Sequence, residues 1–482
     1  MPEPPGGLRP EPGSYRDPRT RVFYSGADVL RGLDAQAAQD WKALAATDFF
    51  PAAQAAGRLT PTEEVAGPEP GRWAAVLRHE RIPFVSYPYE WSYGMLRDAA
   101  ALHLDLLRDA LGAGLTMKDG TAYNVQWRGA VPQFVDIGSF EPARDGEPWA
   151  GYRQFCQTML YPLMLHAHLG VDFQPWLRGR IDGVEPGQIR PLFGGTRRML
   201  PGVLKHVHLH DAMQARNAER STGTVRDQLR DAGFNRELVL ATVRALAKLV
   251  DKLDRPPAAT QWVDYRETCG YSGEERAAKA AFVEAALRGA ATAGLDLVLD
   301  LGANDGAYAR QAADRGAYVV AVDSDAGVVD RLYRDLSRAG DRRILPLTMD
   351  LADPSPGLGW AGAERSSFAD RVAGAAGGRA ASGGGTDAVL ALALVHHLAI
   401  GRNVPLPLIV DWLVGHARTV VVEFVHPEDP MAKRLLANKP EGLFPDYRRD
   451  AFEQLLGARC EITRREELPG GTRTLYTGAR RG

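Results

Sequence analysis

The chain predicts an α/β protein. Its C-terminal half reads as a doubly wound sheet, and its N-terminal half as a helix-rich α+β domain. Three observations lead there. Apolar runs of strand length alternate with helical stretches from about residue 295 onward. A glycine turn, Gly302 to Gly306, follows the first run, and acidic residues close the first, second and third.

Taken in order, residues 1–20 are rich in Pro, Gly and charge and are expected to be disordered. Residues 21–254 form the helix-rich domain, 255–261 (Arg-Pro-Pro-Ala-Ala-Thr-Gln) a linker, and 262–482 the sheet domain. There the first strand leads into Asp300-Leu-Gly-Ala-Asn-Asp-Gly306, and the second, Ala317–Val322, ends at Asp323. The third, Ile344–Thr348, ends in Met349-Asp350-Leu351. About 357–386 is Gly/Ala-rich, too poor in large apolar residues for much core, and is expected to be a mobile insertion. A fourth strand, Ala388–Leu394, runs into Val395-His396-His397-Leu398, and a fifth, Thr419–Val422, ends at Glu423. Cys460–Arg464 and Arg473–Thr477, joined by Pro469-Gly470-Gly471, read as a terminal antiparallel hairpin, which completes seven strands.

Ligands of such sheets sit beyond the carboxyl ends of the strands, where these acids lie. Asp323 stands about twenty residues beyond the glycine turn, the separation at which a carboxylate accepts hydrogen bonds from ribose hydroxyls. The spacing Asp300-x-Gly302-x-Asn304-x-Gly306 resembles the Asp/Glu-x-Gly-x-Gly-x-Gly motif of class I S-adenosylmethionine-dependent methyltransferases, a Rossmann-like fold. Asn304 replaces the middle glycine, and Asn tolerates left-handed backbone angles better than most residues. The resemblance implies S-adenosylmethionine as cofactor, with Asp350 on the adenine amino group and Leu351 against the ring. Leu394 at the end of the fourth strand joins this set, as does Tyr271 just upstream of the sheet, which as an aromatic on a helix face reads equally as packing. His396 and His397 either act as a base or shape the pocket wall, and Glu423 carries the same two readings.

The N-terminal half holds a second constellation: a helix over Leu96–Gly112, then Lys118-Asp119, Asn124, and a hairpin closing at Asp136-Ile-Gly138. Asp-x-x-x-x-Asn, a hairpin and Asp-x-Gly resemble the arrangement of protein kinases and aminoglycoside phosphotransferases. That resemblance implies Asp119 toward an acceptor hydroxyl, with Asn124 and Asp136 on magnesium. No glycine-rich phosphate loop and no Val-Ala-x-Lys strand precede it, so two readings stay open: a degenerate kinase-like lobe around 73–215, or a hairpin whose Asp and Asn cap turns. His206, His208 and His210 would share one face of a strand, but no cysteine or carboxylate cluster completes a zinc set. The aromatic run Phe84–Trp91 reads as packing or as a substrate groove.

Composition excludes several classes. With 482 residues, 45% hydrophobic, two or three domains have cores, and a net charge of -2 leaves no electrostatic footprint for nucleic acid. The three cysteines, Cys156, Cys269 and Cys460, are too sparse for a disulfide framework. No apolar run approaches the roughly eighteen residues of a membrane span, so a cytoplasmic location is expected. Beyond residue 20 the chain resembles a bacterial class I methyltransferase family, some of whose members are grouped with nodulation proteins. The blocks carrying this are Pro83–Ser92, Lys118–Asn124, Phe134–Glu141, Tyr152–Cys156, Asp300–Gly306 and Ala391–Leu398. It implies methyl transfer to a small or carrier-held acceptor, selected by the N-terminal domain. Val395-His396-His397 stands where an Asn-Pro-Pro-Tyr type of motif would serve amine methylation, so O- or C-methylation is favoured. Two other readings stay open: a binding scaffold with both halves degenerate, and a phosphotransferase in the N-terminal half.

Overall fold

The structure, a computed structural model, describes residues 8–69, 71–144, 146–211, 235–254, 271–292, 294–374 and 386–481. The linker 255–261, Tyr265, Cys269 and the glycine-rich end of the insertion, 375–385, lie outside the described residues. The chain divides into two compact units: Met1–Trp127, Pro132–Pro256 and Leu358–Arg365 form the first, and Arg128–Val131, Pro257–Gly357 and Ser366–Gly482 the second.

The second unit is built on seven strands: β10 (Leu297–Leu301), β11 (Tyr318–Asp323), β12 (Ile344–Thr348), β13 (Thr386–Ala391), β14 (Ala417–Val425), β15 (Cys460–Glu467) and β16 (Arg473–Arg480). Their order is β12-β11-β10-β13-β14-β16-β15. The first five are parallel, and β16 runs antiparallel to β14 and β15. All five residues of β10 are buried, as continuous Leu/Val runs between helices require. Register sets Leu301 beside Val322 on one side and Ala391 on the other, with Asp323 beside Thr348. The carboxyl ends of β12, β11, β10 and β13 therefore form one continuous rim, the place where open α/β sheets bind ligands.

The expected fourth strand is shorter than its apolar run. It stops at Ala391 because Ala393 turns into the left-handed region, with φ of +52°, and the chain then winds into a π-helical turn, His397–Gly401. The helix Gly273–Ala291 has a capping box in which Ser272 Oγ accepts from Glu275 N (3.1 Å) and Glu275 Oε2 accepts from Ser272 N (2.7 Å). That start fixes Lys279 about two turns into the helix.

The first unit contains more sheet than its helical sequence pattern suggests. Strands β1 (Leu8–Pro10), β2 (Thr20–Ser25), β3 (Asp28–Leu33), β4 (Thr62–Val65) and β5 (Ala75–His79) form an antiparallel sheet ordered β1-β2-β3-β5-β4. Disorder does not extend through residues 8–20: Leu8 pairs with Ser25 and packs on Phe23, Leu30 and Val76, while Arg16 Nε donates to Glu364 (2.5 Å). The long helix Tyr93–Gly112 follows, then β6 (Leu115–Met117), the hairpin β7 (Val125–Arg128) and β8 (Val131–Phe134), and β9 (Phe140–Pro142), which pairs with β6. Phe84, Tyr87, Tyr89 and Trp91 are buried, so the aromatic run is core rather than groove. His206 and His208 lie on a π-helix, Leu204–Leu209, and not on a strand. His206 meets Tyr152 Oη (2.7 Å) and His208 meets Phe193 O (3.0 Å), while His210, just beyond, meets Tyr161 Oη (2.7 Å). Among the described residues no His/Cys/Asp/Glu group could hold a metal, and no helix is long and apolar enough to cross a membrane.

Candidate functional site

A cavity of about 360 Å³ opens at the rim of the second unit's sheet. Its glycine turn carries three left-handed residues in alternation: Gly302 at φ +77°, Asn304 at +47° and Gly306 at +73°. Asn304 thus adopts the conformation that a glycine would supply at the middle position, at the modest cost such angles have for Asn. The turn is pinned to the next strand where Gly302 N and Ala303 N donate to Val322 O, at 2.8 and 3.0 Å. A Cβ at Gly306 would come within 2.8 Å of a terminal methyl of Leu332, which would have to move, and its left-handed φ already favours glycine.

Asp323 closes β11 and lines the cavity. Its Oδ2 accepts from Asn304 N and its Oδ1 from Asp325 N, both at 3.0 Å. Burial raises its pKa, and backbone donors at Asp325, Asn304 and Ser324 oppose that rise. A carboxylate offers about four acceptor sites, so these donors leave capacity for a further hydrogen bond. Asp350 and Leu351, at the end of β12, form another wall, with Met349 as an apolar neighbour. Asp350 is ion-paired with Arg402 and also accepts from Ala352 N (2.9 Å). Gly302, Asn304, Leu394 and His397 complete the expected residues that this cavity brings together.

Five expected residues do not line it. Gly306 begins the helix Ala307–Asp314. Asp300 is 1% exposed beneath the turn, its Oδ2 has no hydrogen-bond partner among the described residues, and burial pushes its pKa up to about 7. His396 is buried with neither ring nitrogen partnered among the described residues, its ring centroid 4.1 Å from that of His397. Burial holds its pKa well below the usual imidazole range, and His397 and Arg473 add to that. His397 itself is lowered to about 4, by burial and then by Arg473.

Glu423, fully buried, and Tyr271, half-buried, occupy a different place. Glu423 Oε1 accepts from Tyr271 Oη (2.7 Å), and Oε2 meets Lys279 Nζ at 2.7 Å. Arg473 lies 3.5 Å from Glu423 Oε1, donates to Asp429 from Nε (2.8 Å) and stacks 4.1 Å over the Tyr271 ring. Burial alone would raise the Glu423 pKa, but Lys279 and Arg473 outweigh it and hold the carboxylate below its ordinary range. A carboxylate so neutralised is no general base, and Tyr271 is bound to it rather than to the cavity. Of the two readings each carried, this placement off the cavity wall goes against a catalytic Glu423 and a cofactor-covering Tyr271. Arg402, Ala393, Lys279 and Arg473 escaped the sequence reading: Ala393 and Arg402 belong to the irregular stretch after β13, and Lys279 and Arg473 reach Glu423 from distant segments with no motif of their own.

In the first unit, Asp119, Asn124 and Asp136 also converge. Asn124 Nδ2 donates to Asp136 Oδ2 (3.3 Å), and Arg31 Nη1 lies 2.7 Å from Asp136 Oδ1. Burial, then the Asp136 charge, raise Asp119 to about 6.

The strand order, the single reversed strand and the left-handed glycine turn after β10 define the second unit as a class I methyltransferase fold. The whole chain is 32% identical over 475 residues to the nodulation protein NoeA of Rhizobium meliloti (strain 1021), covering 96% of this chain and 95% of that one. It belongs to the NoeA family. No protein-family model matches the chain. Among solved structures it is similar to the magnesium protoporphyrin IX methyltransferase ChlM of Synechocystis PCC 6803 with bound SAH, at 18% identity over 46% of this chain and 95% of that one, TM-score 0.31. It is also similar to WbdD, at 15% identity over 42% of this chain and 39% of that one, TM-score 0.28. The mitomycin 7-O-methyltransferase MmcR follows at 15% identity over 43% and 56%, TM-score 0.26. These values are too low to carry an assignment, and the fold rests on the strand order itself.

Proposed function

We propose that the chain transfers a methyl group from S-adenosylmethionine to a small or carrier-held acceptor, with the first unit selecting that acceptor. The observation that supports this most is Asp323: a half-buried carboxylate at the end of β11, oriented by backbone N–H donors, on the wall of a cavity that Asp350 and Leu351 also bound. The donor set suits the cofactor. Asp323 would accept the ribose hydroxyls, Asp350 the adenine amino group, and Leu351 and Leu394 would cover apolar surface, while the turn at Gly302 lets the backbone approach the ligand.

When bound, S-adenosylmethionine supplies a methyl group on a sulfonium, open to in-line displacement. What the chain contributes is mostly position: an acceptor held in line with water excluded reacts with much of its entropy already lost. His397, neutral at physiological pH, puts no second positive charge beside a sulfonium and can orient an acceptor hydroxyl or receive its proton. Val395-His396-His397 at this position favours O- or C-methylation.

The test is to incubate the purified chain with methyl-labelled S-adenosylmethionine and a bacterial small-molecule extract. Protein-dependent label in a product, lost with Asp323→Ala, supports the reading. Intact cofactor binding without label in any small or carrier fraction would support a binding scaffold instead.

A further inference from the structure

The first unit's carboxylates carry an internal counter-ion, which bears on what that unit can bind. The resemblance to phosphotransferases implies a magnesium ion on Asn124 and Asp136, so the fit of those residues to a divalent cation can be examined. Both oxygens of the Asp136 carboxylate are engaged: Oδ1 by Arg31 Nη1 at 2.7 Å and Oδ2 by Asn124 Nδ2 at 3.3 Å. Asn124 therefore turns its amide donor to the carboxylate, because its carbonyl oxygen there would set two acceptors against each other. A metal ligand would have to present that oxygen.

Arg31 is not a surface residue that happens to lie nearby. It stands on β3, in register with Val22 and Leu77, and is 9% exposed. Its Nη1 also meets Thr20 Oγ1 at 3.5 Å. Gly138, the glycine of the Asp136-x-Gly138 motif, has no positive φ to explain it. A Cβ there would come within 3.3 Å of Arg31 Nη1 and 3.7 Å of Asp136 Oδ1. The missing side chain makes room for the guanidinium. The other charges in this neighbourhood are Asp119, which feels Asp136 and Lys118, and Asp17, which lies 3.8 Å from Lys118.

We propose that Arg31 is the resident cation of the Asp119–Asn124–Asp136 cluster, occupying the charge position that a divalent metal takes in phosphotransferases. A metal ion could enter only by displacing a buried guanidinium and leaving it uncompensated, which is strongly unfavourable. The first unit then works as a binding module without a metal–nucleotide. The inference does not depend on the methyl-transfer reading, because the two concern different units.

The experiment titrates the full chain with Mn²⁺, with and without ATP, and reads bound manganese by electron paramagnetic resonance. Wild type should show no saturable site that Asp136→Asn removes. Arg31→Met, which keeps the apolar stem, should gain one site per chain, and adding Asp136→Asn should abolish it. Arg31→Lys should exclude manganese as wild type does. A wild-type manganese or manganese–ATP site lost with Asp136→Asn would overturn the inference, and so would a folded Arg31→Met that binds no metal. If Arg31→Met does not fold, wild type and Arg31→Lys still decide, since an Asp136-dependent site in either overturns the inference and exclusion by both supports it.

Discussion

The two units each gather carboxylates beside a turn, and they satisfy them differently. In the second unit Asp323 is held by backbone N–H groups, which orient the carboxylate and leave lone pairs toward a cavity. In the first unit Asp136 is held by the Arg31 guanidinium, which neutralises its charge, and by the Asn124 amide. Glu423 repeats the closed pattern inside the second unit, between Lys279, Arg473 and Tyr271. The contrast is one of charge: Asp136 and Glu423 each meet a buried cation, whereas the backbone donors on Asp323 carry no net charge and leave it an open acceptor. Asp350, paired with a half-exposed Arg402, stands between the two cases.

The sharpest way to break this comparison is to open a closed carboxylate. Glu423→Ala leaves Lys279 and Arg473 buried without their partner, and should destabilise the second unit by about 3–5 kcal/mol in chemical denaturation. A loss below about 1 kcal/mol would mean the network is not the closed structure described. Next in size is the pH dependence of Asp300. Its native pKa near 7 lies above the unfolded value near 3.8, so the native state keeps a proton that the unfolded state has released. The stability this contributes is full below about pH 4 and is lost as pH rises toward 7. Asp300→Asn should flatten that part of the stability–pH curve, read by thermal melting, and an unchanged slope would refute it.

Asp323→Ala should cost about 1.5–3 kcal/mol of cofactor affinity, roughly ten- to a hundredfold, with little change in fold, because its charged hydrogen bonds point at the ligand. Arg402→Ala should matter least for stability. Its pair with Asp350 is more than half exposed on the Arg402 side, so about 0–1 kcal/mol is expected in thermal unfolding. A larger loss would place Asp350 among the closed carboxylates. As for pH and rate, an imidazole near 4 at His397 should leave methyl transfer without an inflection between 6 and 7.

What the sequence could reveal follows the same division. The strand ends were legible because continuous apolar runs bracket Asp300, Asp323 and Asp350, and the left-handed turn was legible in Gly302, Asn304 and Gly306. The second unit's register then brings those ends together without further information. Arg31, Lys279 and Arg473 were not legible, since each reaches its carboxylate from a distant segment and an isolated cation in a helix or strand has no motif. The five short strands of the first unit were hidden for a related reason: β1, β4 and β5 hold three to five residues each, too few to set a period against the helical stretches around them. Glu423 misled because the sequence reading ended the fifth strand there, whereas β14 runs on to Val425 and leaves Glu423 inside the sheet between Lys279 and Arg473.

The most direct test is a calorimetric titration of S-adenosylhomocysteine into the full chain and into Asp323→Ala. One-to-one binding by wild type, weakened at least tenfold in a variant with an unchanged circular dichroism spectrum, is the expected result. No binding by wild type, or equal binding by both, would contradict the claim that the carboxylate held by backbone donors is the one left open for a ligand.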